Sequence, residues 1–195
     1  MHNLESRLNR LEDKIKLPNF RGNKGLGNEV GYYVFDYPAD QEMLVRERVE
    51  YLKAKYQNSD VNIVVFDLYD TIIDLLEKEG FLDLCIEFEK TKGLPEITKA
   101  INEMLRMEED NYQNELLAHI KNNTPQNAIV FLTGIGKCYP LLRSHKILNN
   151  MHQFVDNVPV VMFFPGKYDG QSLMLFGETK DDNYYRAFRL VDWEG

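Results

Sequence analysis

Four near-continuous runs of apolar, β-forming residues constrain this chain more than any other feature. They occupy residues 32–35, 62–66, 128–132 and 158–164, and they are followed by Asp36, Asp67, Thr133-Gly134 and Pro165-Gly166. Runs without polar alternation are typical of strands that are buried on both faces. Because longer helical patterns separate them, we predict a three-layer α/β fold with a mainly parallel sheet and helices on both faces, of Rossmann-like or P-loop-like topology without a Walker motif.

The helical patterns predict a single domain that spans residues 1–195. Residues 3–16 form an amphipathic helix within an N-terminal segment, 1–17, because Leu4, Leu8, Leu11 and Ile15 recur at helical spacing. We expect this stripe to dock on its own domain, while a partner or a second copy remains possible. The other predicted pieces are helices at 39–56 and 141–154 and closing strands at 173–176 and 184–191.

A helical insertion is predicted between the second and third strands. Residues 71–126 are rich in Leu, Ile, Met, Glu and Lys, and the span is too long for one crossover helix. We expect two or three helices there, with breaks near Gly80, at 93–95 and at 122–125.

Charge, cysteine content and hydropathy exclude several classes of partner and of site. The formal net charge of -8 should make the surface repel nucleic-acid backbones and anionic lipid, so direct DNA binding is not expected. Cys85 and Cys138 are too far apart for a CxxC motif and are interpreted as reduced thiols, and no metal or cofactor is predicted. No apolar run approaches the roughly 20 residues that span a bilayer, so we expect a cytoplasmic protein without membrane contact.

Ligands of open α/β sheets bind beyond the carboxyl ends of the strands, which makes the residues after the strands a candidate pocket. Its predicted members are Asp36, Asp67, Thr133, Gly134, Gly136, Lys137, Arg143 and His145. The loop 133–138 lies between a strand and a helix, but a Walker loop ending at Lys137 would need glycine where Phe131 stands and Ser or Thr where Cys138 stands. Tight turns explain these glycines more often than phosphate binding does.

Two other catalytic hypotheses are incomplete. Residues 64–71 resemble the first motif of haloacid-dehalogenase phosphatases, but the second acid, Asp70, follows Asp67 by three residues instead of two, and capping of the next helix is the commoner use of such acids. His145 and His152 share a predicted helix face, but two turns, roughly 10 Å, separate them, which is too far for one metal ion. No residue is therefore assigned a catalytic role.

The chain resembles the BrxB family of the bacteriophage-exclusion (BREX) defence systems. The resemblance rests on the order and spacing of several stretches that together run along nearly the whole chain, at residues 24–38, 132–136, 139–145, 148–152, 163–173 and 183–188. It implies a cytosolic bacterial or archaeal protein that acts against phage beside a methyltransferase, an AAA-type ATPase, a Lon-like protein and a PglZ phosphatase-like protein. The family supplies no established catalytic motif that could be transferred to this chain.

Two functional hypotheses follow. The first is a non-enzymatic interaction or assembly module for other BREX proteins, with PglZ as the first candidate partner and with a contact surface formed by Tyr168, Tyr184, Tyr185 and Arg186, since Tyr and Arg are enriched at binding hot spots. Ordinary edge-strand packing of these tyrosines is an equal alternative. The second hypothesis is a nucleotide- or metal-dependent phosphoryl-group enzyme, or a ligand sensor, that uses the strand-end pocket.

Overall fold

Strands and helices alternate along most of the chain. The computed structural model describes residues 4–23, 31–57, 59–109, 112–142, 150–151, 155–177, 179–181 and 187–193. The helices are α1 (Leu4–Lys16), α2 (Pro18–Arg21), α3 (Glu42–Tyr56), α4 (Leu68–Lys78), α5 (Leu82–Lys92), α6 (Leu94–Met104), α7 (Glu115–Asn122) and α8 (Ile135–Cys138), and a short 3₁₀ helix, Ala39–Gln41, leads into α3. The strands are β1 (Tyr32–Tyr37), β2 (Asn62–Asp67), β3 (Ala128–Thr133), β4 (Val160–Tyr168), β5 (Leu173–Leu175), β6 (Thr179–Asp181) and β7 (Phe188–Arg189).

The described part of the chain contains one mainly parallel sheet. Its strands lie in the order β2-β3-β4-β1-β7, and each neighbouring pair is parallel. The register places Tyr32 beside Val160 and Asp67 beside Thr133. Beyond the parallel sheet, β4 pairs antiparallel with β5, and β5 pairs antiparallel with β6. The predicted mainly parallel sheet is confirmed.

Helices cover both faces of the sheet. One apolar cluster joins α1 and α3 to Phe35, Phe131 and Phe163, and the ring centroids of Phe131 and Phe163 are 5.0 Å apart. A second cluster on the opposite face contains residues of α4, α6 and α7 together with Val130 and Met162. Neighbouring residues of a strand point to opposite faces, so two buried faces require unbroken apolar runs. The predicted three-layer architecture is confirmed.

The N-terminal helix docks on its own domain, as expected. Leu4, Leu8, Leu11 and Ile15 are all buried in the cluster that α1 shares with α3. On the neighbouring side of α1, Glu12 accepts hydrogen bonds from the Nζ of Lys55 at 2.7 Å and from the hydroxyl of Tyr56 at 2.8 Å, both at the end of α3.

The span 71–126 contains all or part of four helices, α4 to α7, instead of the predicted two or three. The breaks at Gly80 and Gly93 are where they were expected, and both glycines have positive φ angles. The missed break lies between α6 and α7, where Arg106 has φ +50° and the side chain of Asn114 caps α7 by accepting from the N–H of Leu117 at 3.1 Å. Residues 96–124 contain neither glycine nor proline, so the usual signals of a break are missing.

Three other boundaries differ. β4 does not end before Pro165-Gly166 but continues to Tyr168, because its last residues leave the parallel sheet and pair with β5. Of the predicted helix at 141–154, residues 141–142 form a turn and a bend, and residues 150–151 are helical. The rest of that span, 143–149 and 152–154, lies outside the described residues. Of the predicted strand at 184–191, the structure describes β7, while 184–186 lie outside the described part.

None of the described helices combines the length and the apolar character that crossing a membrane requires.

The docking of α1 predicts a strong dependence of stability on its apolar stripe. Leu8 has 0% of its surface exposed, whereas Leu17, just beyond the helix, is 54% exposed. Leu8→Ala should lower the free energy of unfolding by about 2–4 kcal/mol, because it removes buried methyl groups and leaves a cavity. Leu17→Ala should change it by less than about 0.5 kcal/mol. Denaturant unfolding of both variants measures the difference, and similar losses for the two would contradict the docked position of α1.

Candidate functional site

Asp67 and Lys137 form the centre of a charged cluster at the carboxyl edge of the sheet. The Nζ of Lys137 lies 2.8 Å from Oδ2 of Asp67 and 2.9 Å from Oδ1 of Asp70. The cluster follows from the register, because β2 and β3 are parallel neighbours and the loop after Thr133 therefore lies beside Asp67. We call Asp67, Asp70 and Lys137 the Asp67 cluster.

Asp67 also begins α4. Its Oδ1 accepts a hydrogen bond from the backbone N–H of Asp70 at 3.2 Å, and the hydroxyl of Thr71 donates to its backbone carbonyl at 2.7 Å. A carboxylate at this position satisfies a free N–H of the first helical turn and interacts favourably with the helix dipole. The capping role that the sequence suggested for Asp67 is therefore confirmed.

The two glycines after β3 allow close approaches, Gly134 to Asp67 and Gly136 to Phe176. Gly134 has φ +73°, and a Cβ atom there would lie 2.3 Å from Oδ1 of Asp67. A Cβ atom on Gly136 would lie 3.0 Å from the ring of Phe176 and 3.2 Å from Pro165. Gly134 therefore fits the tight-turn interpretation, whereas Gly136 lies in α8 and has a packing reason to be glycine.

The protonation states of Lys137 and Cys138 favour ion pairing and disfavour nucleophilic catalysis at the cluster. Burial lowers the pKa of Lys137, but its hydrogen bonds to Asp67 and Asp70 outweigh this effect and hold the pKa above its ordinary value, so the amine stays charged. Burial, with a smaller contribution from Asp67, raises the pKa of the Cys138 thiol to about 12, so this neighbour is protonated and poorly nucleophilic at neutral pH. Within the described ranges, no group of three potential ligands could hold a metal ion.

Asp36 does not join the Asp67 cluster. It ends β1, and β3 and β4 lie between β1 and β2, which separates the two strands by about 14 Å at the usual spacing. Asp36 is buried, its Oδ1 accepts from Arg7 at 2.9 Å, and its Oδ2 accepts from the backbone N–H of Tyr168 at 3.2 Å and from the indole N–H of Trp193 at 3.1 Å. The predicted pocket is therefore divided: Thr133, Gly134, Gly136 and Lys137 lie with Asp67, and Asp36 lies apart.

Other predicted residues fall elsewhere. Tyr168 was expected on an exposed contact surface, but its ring is buried and its hydroxyl donates to the carbonyl of Ala187 at 2.7 Å, so that expectation is wrong. The extension of β4 past Gly166 brings the backbone N–H of Tyr168 to Asp36 in β1. Arg143, His145, Tyr184, Tyr185 and Arg186 lie outside the described residues.

Sequence reasoning missed the partners of Asp36. Arg7 binds its carboxylate and Trp193 donates to it, although these residues lie near opposite ends of the chain. A signal for Arg7 was present, because it stands three residues after Leu4 and four before Leu11, on the apolar stripe of α1. A charged residue inside an apolar stripe needs a buried partner.

A cavity of about 790 Å³ opens next to Asp36. We call it the β1 cavity. It lies between the end of β1, the end of β4, the β5–β6 turn and the C-terminal residues, and it is lined by Asp36, Pro38, Ala39, Asp40, Gly166, Lys167, Tyr168, Asp169, Phe176, Gly177, Arg189 and Trp193.

The close approach at Gly134 predicts a steric cost that a matched glycine lacks. Gly80 has nearly the same φ, +74°, but a Cβ atom there would meet nothing within 4 Å. Gly80→Ala should destabilise the protein by about 1–2 kcal/mol, the cost of a left-handed backbone at a residue with a side chain. Gly134→Ala should cost clearly more, because its methyl group must also displace Asp67 from Lys137. Denaturant unfolding compares them, and equal losses would show that Asp67 is not held against the loop.

Comparisons with known proteins identify the family. A sequence profile described as "BREX protein BrxB" matches residues 64–190. A protein of Bacillus cereus (strain H3081.97) with the name "BREX protein BrxB" is 49% identical over 193 residues, 98% of this chain and 100% of that relative. A protein of the same name from Escherichia coli O9:H4 (strain HS) is 33% identical over 190 residues, 96% of this chain and 92% of that relative. No solved structure gives a significant match. The chain therefore belongs to the BrxB family of BREX proteins.

Proposed function

We propose that this chain is a protein-interaction or assembly module of its BREX system, without a reaction of its own, and that a PglZ protein is its first partner. Family membership supports a role in phage defence beside other BREX proteins. The module interpretation adds how the chain takes part: it contributes a surface that holds other components together.

The observation that carries this proposal is an apolar surface on α5. Leu84 is 62% exposed and Phe88 is 36% exposed, and the two residues stand one helical turn apart on the same face. On α5 only Cys85 is buried, so this helix presents most of its surface to solvent. We call Leu84 and Phe88 the α5 patch. Contiguous exposed apolar side chains are a feature of protein contact sites.

The hydrogen bonds and ion pairs of the strand-end carboxylates, Asp36 and Asp67, also support a module without a reaction of its own. Asp36 is held by Arg7, Tyr168 and Trp193, and Asp67 is held by Lys137 and by the start of α4. A general acid or a nucleophile must reach a substrate, whereas these carboxylates already bind groups of the protein itself.

Purification of the tagged protein from cells that carry its own gene neighbourhood tests the proposal. We expect stoichiometric recovery of the PglZ protein or another BREX component. Leu84→Asp combined with Phe88→Asp should lower this recovery at least about tenfold, because charges would have to be buried at the contact. Met43→Asp, at a 64% exposed position of α3, is the matched control and should leave recovery unchanged.

Two outcomes would contradict different parts of the proposal. If the native protein brings no BREX component with it, the module function is abandoned. If the partner is recovered equally well with the α5 variant, the function stands and the α5 patch is not the contact. Thermal unfolding of each variant shows whether a loss of recovery reflects misfolding.

A second candidate function is the phosphoryl-group enzyme or ligand sensor, now centred on the Asp67 cluster. Its support is the position of a charged lysine between two carboxylates at the carboxyl edge of the sheet, where α/β proteins bind ligands. ATP with Mg²⁺ should then raise the thermal unfolding temperature, because a ligand selective for the native state stabilises it. Lys137→Ala should remove that shift. If saturating nucleotide and metal produce no shift, this function is excluded.

A further inference from the structure

The β1 cavity has the size and the lining of a small-molecule site. Its volume of about 790 Å³ falls within the range of about 300–1,000 Å³ that is usual for ligand pockets. It lies at the carboxyl end of β1, the strand next to β4 in the parallel sheet. The walls come from four separate parts of the chain, so the fold itself forms the cavity.

Apolar groups form much of the cavity wall. Pro38 and Ala39 line it from the loop after β1, and Trp193 lines it from the C-terminal residues. Phe176 lines it from the β5–β6 turn, is 47% exposed, and has φ +55°. A non-glycine residue in the left-handed region is strained, and such positions occur often where a protein holds a ligand. The lining therefore suits a ligand with a flat or aliphatic body.

Two carboxylates that line the cavity, Asp36 and Asp169, already accept hydrogen bonds from other groups of the protein. Asp36 is already bound by Arg7, Tyr168 and Trp193, and the oxygens of Asp169 accept from the backbone N–H groups of residues 171 and 172 and from the Ser172 hydroxyl. Asp40 is an exposed acid at the surface of the cavity, where solvent screens its charge.

The two cations that line the cavity, Arg189 and Lys167, have donor groups that a ligand could bind. Arg189 forms an ion pair with Asp36, with 3.6 Å between its Nε and Oδ1 of Asp36. This distance is too long for a hydrogen bond, and the buried Nε has no hydrogen-bond partner among the described residues. Lys167 is exposed and forms no ion pair with any described carboxylate. A buried donor without an acceptor is costly, and an anion in the cavity would satisfy it.

We infer that the β1 cavity binds a small organic carboxylate or phosphate with an aromatic or aliphatic body, whose acid group meets Arg189 and Lys167. This site does not depend on the module function. It is also distinct from the Asp67 cluster, because none of Asp67, Asp70 and Lys137 lines it.

Trp193 provides the measurement, since it is the only tryptophan of the chain and it lines the cavity. We would titrate the full-length protein with phenylacetate and follow the tryptophan fluorescence. The same titration with benzyl alcohol, phenethylamine and acetate separates the contributions of the acid group, the sign of the charge and the apolar body. We expect saturable binding of phenylacetate with a dissociation constant on the order of millimolar, and at least about tenfold weaker binding of the other three probes.

Variants connect the signal to the cations. Arg189→Met should weaken phenylacetate binding about tenfold or more, and Lys167→Met should weaken it by a smaller factor, because Lys167 is exposed. Lys90→Met, an exposed lysine on α5, is the control and should leave binding unchanged. Since Lys167 is not buried, its variant tests the site even if Arg189→Met affects folding, which thermal unfolding would reveal.

The inference is overturned if phenylacetate gives no saturable signal. It is overturned equally if phenethylamine or benzyl alcohol binds as tightly as phenylacetate, because the acid group would then have no role. Acetate that binds as tightly as phenylacetate would remove the role of the apolar lining, and unchanged binding in both cavity variants would place the ligand elsewhere.

Discussion

The buried ion pair of Arg7 and Asp36 connects parts of the chain that no local interaction could bring together. The guanidinium donates to the carboxylate and backbone carbonyl of Asp36 and, at 2.7 Å, to the carbonyl of Val191. It lies between two rings, 4.6 Å from the centroid of Phe35 and 3.7 Å from that of Trp193. α1, β1 and the C-terminal residues thus meet at one side chain. Burial lowers the pKa of Arg7, while the charge and the hydrogen bond of Asp36 oppose that effect.

Such a pair holds structure in place mainly because losing either partner is costly. An uncompensated charge in the interior typically destabilises a protein by about 3–5 kcal/mol, although the intact pair itself contributes less. Two further cations of α1 bind the same C-terminal stretch, Arg10 through the carbonyl of Asp192 at 2.7 Å and Lys14 through the carbonyl of Leu190. The docked position of the first helix therefore rests partly on hydrogen bonds to the carbonyls of residues 190–192, just after β7. The walls of the β1 cavity depend on the same arrangement, because Asp36, Arg189 and Trp193 belong to it.

The sequence predicted what depends on local pattern and missed what depends on strand order. Unbroken apolar runs located the central strands, and the spacing of Leu4, Leu8, Leu11 and Ile15 located α1. The distance between Asp36 and Asp67 could not be predicted, since it depends on β3 and β4 lying between their strands. The break before Asn114 was missed because a side-chain cap, without glycine or proline, produces it. Tyr168 was misplaced because nothing local indicates that β4 runs on past Pro165-Gly166.

Phe176 touches both places where this protein could meet a ligand. Its ring packs against Gly136, which precedes Lys137 in α8, and it also lines the β1 cavity. One aromatic ring is thus shared by the β1 cavity and by α8. A ligand that moves this ring within the cavity would therefore also change its contact with Gly136, the neighbour of Lys137 in α8.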